Sequence, residues 1–160
     1  MDNSKNYITI LIDSLNKKIK LLDYILVENK RQQLSVSSEK MDEELFQETM
    51  AKKEDYINQI NEIDQGFETV YHHVQKELSE NAGQYKDEIS ELKELISVIT
   101  QKSMEVQLSE KRNEQLITKK FSDIRKEIHK SKNVSKVATD YYKTMSKTSI
   151  VEPQYLDKKK

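Results

Sequence analysis

Glycine, proline and cysteine are scarce in this chain of 160 residues, which holds two glycines, one proline and no cysteine. Because glycine and proline most often interrupt regular structure, few turns are expected and long helices are favoured. The lack of cysteine excludes disulfides, thiolate nucleophiles and zinc-finger spacings, and it suits a reducing compartment. A chain with so few turns offers few places for a catalytic pocket, which favours a function carried by a surface.

Long apolar runs are also missing. The most apolar stretches, 8–12 and 21–27, are interrupted by Thr9 and Asp23. Both are far shorter than the roughly 20 residues that span a membrane. The N-terminus also lacks the basic segment and apolar stretch of a secretory signal. We therefore expect a cytoplasmic protein without membrane insertion.

Charge is abundant but unevenly distributed. Charged residues make up 34% of the chain and hydrophobic residues 35%, a balance typical of helices with narrow apolar stripes. Residues 39–82 hold four lysines and twelve acidic residues, a net charge of −8. Residues 129–160 hold eight lysines and three acidic residues, a net charge of +5. At low salt, the acidic segment is expected to attract the basic tail or a basic partner.

Apolar residues recur at three- and four-residue steps and predict three long helices, at about 4–34, 39–81 and 84–130. The stripe of the first helix is wide enough to pack against two other helices. After Leu34 the serine-rich segment predicts a break, and Ser37, Ser38 or Asp42 can cap the next helix. Either a turn or a kink is compatible with this segment. The expected stripe of the first helix consists of Ile8, Leu11, Ile12, Leu15, Ile19, Leu22, Ile25 and Leu26.

The two glycines receive different interpretations. Gly83 follows Asn81 and Ala82 and is expected in the left-handed position after a helix, followed by a tight reversal that makes the second and third helices antiparallel neighbours. Gly66 lies inside the second helix, where it costs about 1 kcal/mol relative to alanine. We interpret Gly66 as a site of close helix approach.

The third helix changes character midway. Ser103, Glu110 and Asn113 occupy stripe positions that are apolar upstream, and because unpartnered buried polar groups are costly they are expected to be solvated, networked or used for binding. A helix of about 45 residues extends roughly 68 Å, more than the first helix covers, so part of it is expected to lack an intramolecular partner. The predicted fold is a single all-α domain over 1–160, an elongated antiparallel bundle of three long helices. A tail at 131–160 is predicted to be a short helix or flexible, and disordered at its end.

Metal and cofactor chemistry finds little support. Asp64, Glu68 and His72 recur at four-residue intervals and would line one helix face, but no histidine has a glutamate three residues before it, as di-metal bundles do. His72 and His73 point about 100° apart on a helix and cannot chelate together. Neither a nucleotide-binding glycine loop nor a nucleophile elbow is present. We expect no cofactor, no metal, no catalytic residue and no enzymatic activity.

Nucleic-acid binding is also not expected. Asp123 and Glu127 dilute a basic region near the end of the third helix, and the second helix is acidic, so a groove that follows phosphates is incomplete. A solvated basic helix end is the favoured interpretation. The basic region comprises Lys119, Lys120, Arg125, Lys126, Lys130, Lys132 and Lys136.

Several strings of residues resemble one family. They are Asp42-x-Glu44-x-Phe46, Lys52-Lys53-Glu54-x-x-Ile57-x-x-Ile60, Ile63-Asp64-x-Gly66-Phe67-x-x-Val70-Tyr71, Glu110-x-x-Asn113 and Tyr155-Leu156-Asp157-Lys158-Lys159. Together they resemble the FlgN family of flagellar export chaperones, in the form that this family takes in Gram-positive bacteria. The resemblance implies a small cytosolic protein that holds the C-terminal helical regions of hook-associated flagellar proteins. It would prevent their premature assembly and deliver them to the flagellar export apparatus.

Candidate partner-binding residues follow from helix-in-groove recognition, in which apolar anchors at helical spacing fill a matching surface. Bundle core is the competing interpretation for the apolar candidates, and Asn113 is also a candidate register-setting polar residue. Two of the candidates, Tyr141 and Tyr142, combine apolar area with a polar tip, as interface anchors often do. The predicted groove is Val106, Asn113, Leu116, Phe121 and Ile124, with Val137, Tyr141, Tyr142 and Met145 covering it or closing over the guest helix.

A structural coiled-coil adaptor that self-associates without export cargo is the alternative function. It requires a tight oligomer, whereas a chaperone is expected to be a monomer or a loose homodimer. Polar residues at Asp64, Ser103 and Glu110 count against a long uninterrupted seam.

Overall fold

The structure, a computed structural model, describes residues 3–131. Within this range the chain forms three long helices and no strand: α1 (Ser4–Ser37), α2 (Glu43–Glu80) and α3 (Lys86–Ser131). The predicted all-α class is therefore confirmed for the described part of the chain. None of these three helices carries an apolar stretch sufficient to cross a membrane. Of the predicted tail, residues 132–160 lie outside the described range.

The first helix lies against both of the others, in agreement with the width of its apolar stripe. Five of the eight expected stripe residues are buried, and Ile12, Ile19 and Leu26 pack against them half-buried. Charged and amide side chains of α1 are buried as well, which the apolar pattern did not predict. The buried stripe residues are Ile8, Leu11, Leu15, Leu22 and Ile25, and the buried polar residues with long side chains are Lys18, Glu28, Asn29 and Gln32.

The segment between α1 and α2 is a turn and not a kink. Ser38 leaves α1 in an extended conformation with ψ at 151°. Asp42 caps α2, because its carboxylate accepts a 3.0 Å hydrogen bond from the Leu45 amide. The Asp42 amide donates to the Ser35 carbonyl at 2.9 Å, which ties the two helix ends together. The Lys120 ammonium group of α3 donates to the carbonyls of Ser38 and Glu39, both at 2.8 Å.

The connection between α2 and α3 differs from the predicted one. α2 ends at Glu80, and a 3₁₀ turn at Ala82–Tyr85 leads into α3. The expectation of a left-handed Gly83 is wrong, since its φ lies outside the left-handed region. The turn is closed instead by hydrogen bonds around Asn81, whose amide donates to the Glu77 carbonyl at 2.9 Å and whose carbonyl accepts from Gln84 at 3.0 Å.

The buried apolar residues form two clusters. The main cluster joins all three helices, and a smaller distal cluster joins the α1–α2 turn region to α3. Each cluster is surrounded by half-buried apolar side chains, so both continue to the surface. The main cluster consists of Leu11, Leu15, Leu21, Leu22, Ile25, Ile60, Val74, Leu92, Ile99 and Val106, and the distal cluster of Val36, Met41, Phe46, Ile117 and Phe121.

Gly66 is not a site of close helix approach. A Cβ atom built on this residue would meet nothing within 4 Å, and the residue is exposed within α2. The close-packing interpretation is therefore wrong. Gly66 has no side chain to restrict the unfolded chain, which makes folding more costly in entropy. The space left by the missing side chain is not used by a neighbouring helix.

Replacement of Gly66 by alanine is expected to raise the free energy of unfolding by about 1 kcal/mol, because alanine is the better helix former and nothing obstructs its methyl group. Denaturant unfolding followed by circular dichroism measures this change. The reciprocal control is Ala51→Gly at another exposed position of α2, which should lower stability by a similar amount. A loss of stability in Gly66→Ala would show that this position is constrained after all.

Candidate functional site

The predicted groove residues of α3 lie partly in the interior. Val106 is 5% exposed, Asn113 3% and Phe121 0%, whereas Leu116 and Ile124 are half-buried beside the distal cluster. Part of α3 was expected to lack an intramolecular partner. As far as Phe121 this expectation is wrong, because residues of α1 and α2 contribute to covering α3. The predicted cover residues, Val137, Tyr141, Tyr142 and Met145, lie outside the described residues.

The last part of α3 follows the residue that contacts the α1–α2 turn. Lys120 contacts the carbonyls of the α1–α2 turn, and α3 continues for eleven residues to Ser131. At 1.5 Å per residue this extension is about 16 Å long. Ile124 and Ile128 lie on it half-buried. The end of α3 therefore carries half-buried apolar side chains at helical spacing, of which Ile124 packs against the distal cluster.

A layer of polar side chains separates the two apolar clusters. Gln32 is its centre, because its side-chain oxygen accepts hydrogen bonds from Lys53 at 3.2 Å and from Asn113 at 3.0 Å. These three residues come from α1, α2 and α3, so one carboxamide connects all three helices. We define the polar layer as Glu28, Asn29, Gln32, Lys53, Glu110 and Asn113, all of them buried or nearly so.

Further hydrogen bonds join α1 to α3 within this layer. The Asn113 amide group also donates to the Asn29 backbone carbonyl at 2.8 Å. The Asn29 side chain donates to the Ser109 hydroxyl at 2.7 Å. Of the three roles proposed from the sequence for the polar residues of α3, the networked one is thus observed for Asn113. Because buried polar groups need partners, these bonds hold α1 and α3 in one relative position.

Lys53 and Glu110 form a buried ion pair between α2 and α3. The Lys53 ammonium nitrogen lies 2.6 Å from Glu110 Oε1, and the two side chains are 3% and 11% exposed. Burial lowers the pKa of Lys53, although the Glu110 and Glu28 carboxylates oppose that shift. Removing either partner alone would leave an uncompensated charge in the interior, which is strongly destabilising.

Arg31 lies at the outer side of the polar layer. Its guanidinium group contacts Glu28 at 2.7 Å on α1 and Glu48 at 3.2 Å on α2. Hydrogen bonds from Lys52 and Arg31 lower the pKa of Glu48. Solvent screens the Arg31–Glu48 pair, whose side chains are 32% and 46% exposed, whereas the Glu28 side chain is only 6% exposed.

The possible metal ligands of α2 have other partners or are dispersed. Asp64 accepts a 2.6 Å hydrogen bond from the fully buried Lys18 of α1. His72 is exposed, and the neighbouring His73 stacks on Tyr7 with ring centroids 5.2 Å apart. Across residues 3–131, no three potential ligand side chains are grouped around a common point. Asp64 therefore has a structural role as the counter-ion of a buried lysine.

Large apolar side chains are exposed on the outer surfaces of α1 and α3. Tyr24 packs on Tyr56 of α2 with ring centroids 5.4 Å apart. Val27 and Leu34 lie two turns apart on α1 and are 55% and 66% exposed. Scattered exposed apolar residues are normal for a soluble surface, so these positions do not by themselves define a site.

Sequence analysis missed the α1 and α2 members of the polar layer. A signal for Lys53 was present, because it lies seven residues after Phe46 and seven before Ile60, at a position where this spacing is otherwise apolar. Asn29 likewise lies seven residues after Leu22 and seven before Val36. Polar residues at such positions in all three helices indicate a buried polar layer.

Comparison of the chain with protein-family models, curated proteins and solved structures finds no match. A functional assignment therefore depends on the residues of this chain and on their geometry.

The buried ammonium group predicts a distinctive pH dependence. Because the pKa of folded Lys53 is below its ordinary value of 10.5, the unfolded chain binds the proton more readily at pH values between the folded and ordinary pKa. The free energy of unfolding should therefore rise with pH in this window. Relative to a Lys53→Met, Glu110→Leu double variant, the wild type should gain stability as pH increases from 7 towards 10.5.

Chemical denaturation at several pH values measures this difference. Lys52→Met is the matched control, since Lys52 is the exposed neighbour of Lys53 on α2, and its pH dependence should follow the wild type. A double variant with the same pH dependence as the wild type would contradict the assignment of this pH dependence to Lys53.

Proposed function

We propose that this chain is a cytosolic flagellar export chaperone of the FlgN type. In this proposal it binds the C-terminal helical regions of hook-associated proteins, prevents their premature assembly and delivers them to the export apparatus. The residue strings of α2 and α3 that resemble that family support the proposal. The proposal assigns no catalysis, no cofactor and no nucleic acid to the chain.

The observation that carries the proposal is the extension of α3 beyond the α1–α2 turn. Ile124 and Ile128 are half-buried apolar residues at helical spacing there, and Leu116 and Phe121 precede them on α3 at the distal cluster. An amphipathic guest helix can align its apolar face with such a row of side chains. We propose that Val137, Tyr141, Tyr142 and Met145 then close over the guest.

An elongated antiparallel bundle is the arrangement that we propose for the scaffold. Lys18 pairs with Asp64 and Gln32 with Lys53, so residue numbers rise along α1 as they fall along α2. The bonds from Lys102 to Asp23 and from Lys120 to Ser38 run in the same direction along α1 and α3. This order of contacts supports an up-down-up arrangement.

A self-associating coiled-coil adaptor is the second candidate. The observation that favours it is the pair of exposed residues Val27 and Leu34, seven residues apart on α1 as in a helical seam. The two candidates differ in mass, because a chaperone of this type would be a monomer or loose homodimer. Light scattering on the purified chain distinguishes it from a tight oligomer.

Titration with synthetic C-terminal peptides of flagellar hook-associated proteins tests the chaperone proposal. Binding is expected at about 10–50 µM, equivalent to about −6 to −7 kcal/mol. Ile124→Ser should weaken it about tenfold or more by removing an anchor from the row. Tyr141→Ala with Tyr142→Ala should weaken it with little loss of helicity.

Val70→Ser is the matched control, because Val70 is a half-buried branched residue of α2 next to the main cluster. It should leave peptide affinity unchanged. The chaperone proposal fails if no peptide binds at concentrations of about 100 µM. A tight oligomer in that case would support the adaptor.

A further inference from the structure

The two apolar clusters share no buried residue, and the polar layer separates them in every helix. On α1, Asn29 and Gln32 lie between Ile25 and Val36. On α2, Lys53 lies between Phe46 and Ile60. On α3, Glu110 and Asn113 lie between Val106 and Ile117. The apolar packing that would make the whole molecule cooperative is therefore interrupted at one level in all three helices.

We propose that the distal cluster opens as a separate cooperative unit while the main cluster remains folded. In the open form, the α1–α2 turn and the adjoining helix ends separate from α3 beyond the polar layer. Such sub-global openings follow contiguous structural units with their own local stability. The polar layer marks the boundary of the unit.

The covalent connections permit this motion. α2 and α3 are joined covalently at residues 81–85. The contact between Phe46 and Phe121 lies about 50 Å from this connection, measured along α2. At the distal end, the two rings contact edge to face with centroids 6.4 Å apart, and Lys120 bonds to the carbonyls of Ser38 and Glu39. Within the described range, non-covalent contacts of this kind hold the turn region against α3.

The polar layer also lowers the cost of creating the boundary. Its amides and charged groups can exchange protein partners for water, which apolar side chains cannot do. Asn29 Oδ1 is buried and accepts no hydrogen bond from the described residues, so a water molecule entering the layer would supply a missing bond. The polar layer is thus more easily hydrated than the apolar clusters on either side of it.

Opening would expose Ile117 and Phe121, and Leu116 and Ile124 would gain exposure beside them. These residues are four of the apolar side chains near the end of α3. The opening is a property of the free chain, so it does not depend on the proposed chaperone function. It also determines when this part of α3 becomes accessible to any helical partner.

Native-state hydrogen exchange of the full chain, read by mass spectrometry at low denaturant concentrations, tests the proposal without a partner. Amides around Val36, Phe46 and Phe121 should exchange at least about tenfold faster than those around Leu22 and Ile99, and with a weaker denaturant dependence. Equal rates and equal denaturant dependence in both regions would mean a single global unfolding event and would overturn the proposal.

Two matched substitutions sharpen the test. Ile99 of the main cluster and Ile117 of the distal cluster are 1% and 0% exposed on the same helix. Ile99→Val should speed exchange about two- to tenfold around the main cluster only, because the main cluster stays folded in the open form. Ile117→Val should speed exchange in both regions, since its contacts are lost in partial and global opening alike. If Ile99→Val speeds distal exchange equally, the two clusters unfold together and the proposal is wrong.

Discussion

The hydrogen-bonding requirement of the Gln32 carboxamide is the constraint on which the arrangement of the three helices depends. Apolar side chains of similar size can slide past one another at small cost, whereas a buried amide or ammonium group must meet a particular partner. Gln32 meets Lys53 and Asn113, and Lys53 also meets Glu110. A shift of one helix by a turn would leave these groups unpaired in the interior. The polar layer therefore specifies the register, although well-packed apolar residues could give more stability.

Much of the fold followed from the periodicity of the sequence, but the interpretations of both glycines were wrong, as was the uncovered stretch expected in α3 as far as Phe121. Three long helices and the division near residues 35–42 and 81–85 are local properties, because they depend on apolar spacing and on poor helix formers. Gly66 and Gly83 were interpreted from the roles that glycine most often has, namely close approach and a left-handed turn. At neither position does the surrounding structure require a glycine.

The candidate site was predictable to a smaller extent. Asn113 and Glu110 were recognisable as polar residues in an apolar stripe, but their partners lie on other helices, and the spacing within α3 contains no information about them. For Phe121, spacing could not distinguish a groove from a core, since both require apolar residues at the same steps. In the free chain Phe121 is a core residue, because Phe46 packs edge to face against it.

The end of α1 has a consequence for the order in which the molecule forms. A helix usually satisfies its last carbonyls with a glycine or another nearby residue. Here the Ser35 carbonyl accepts from the nearby Asp42 amide, whereas the carbonyls of Ser38 and Glu39, just after α1, accept from Lys120, more than 80 positions later in the chain. During synthesis from the N-terminus, this bend emerges long before its donor does. The bonds of Asp42 can form locally, and the contact from Lys120 completes the turn only after most of the polypeptide has been made.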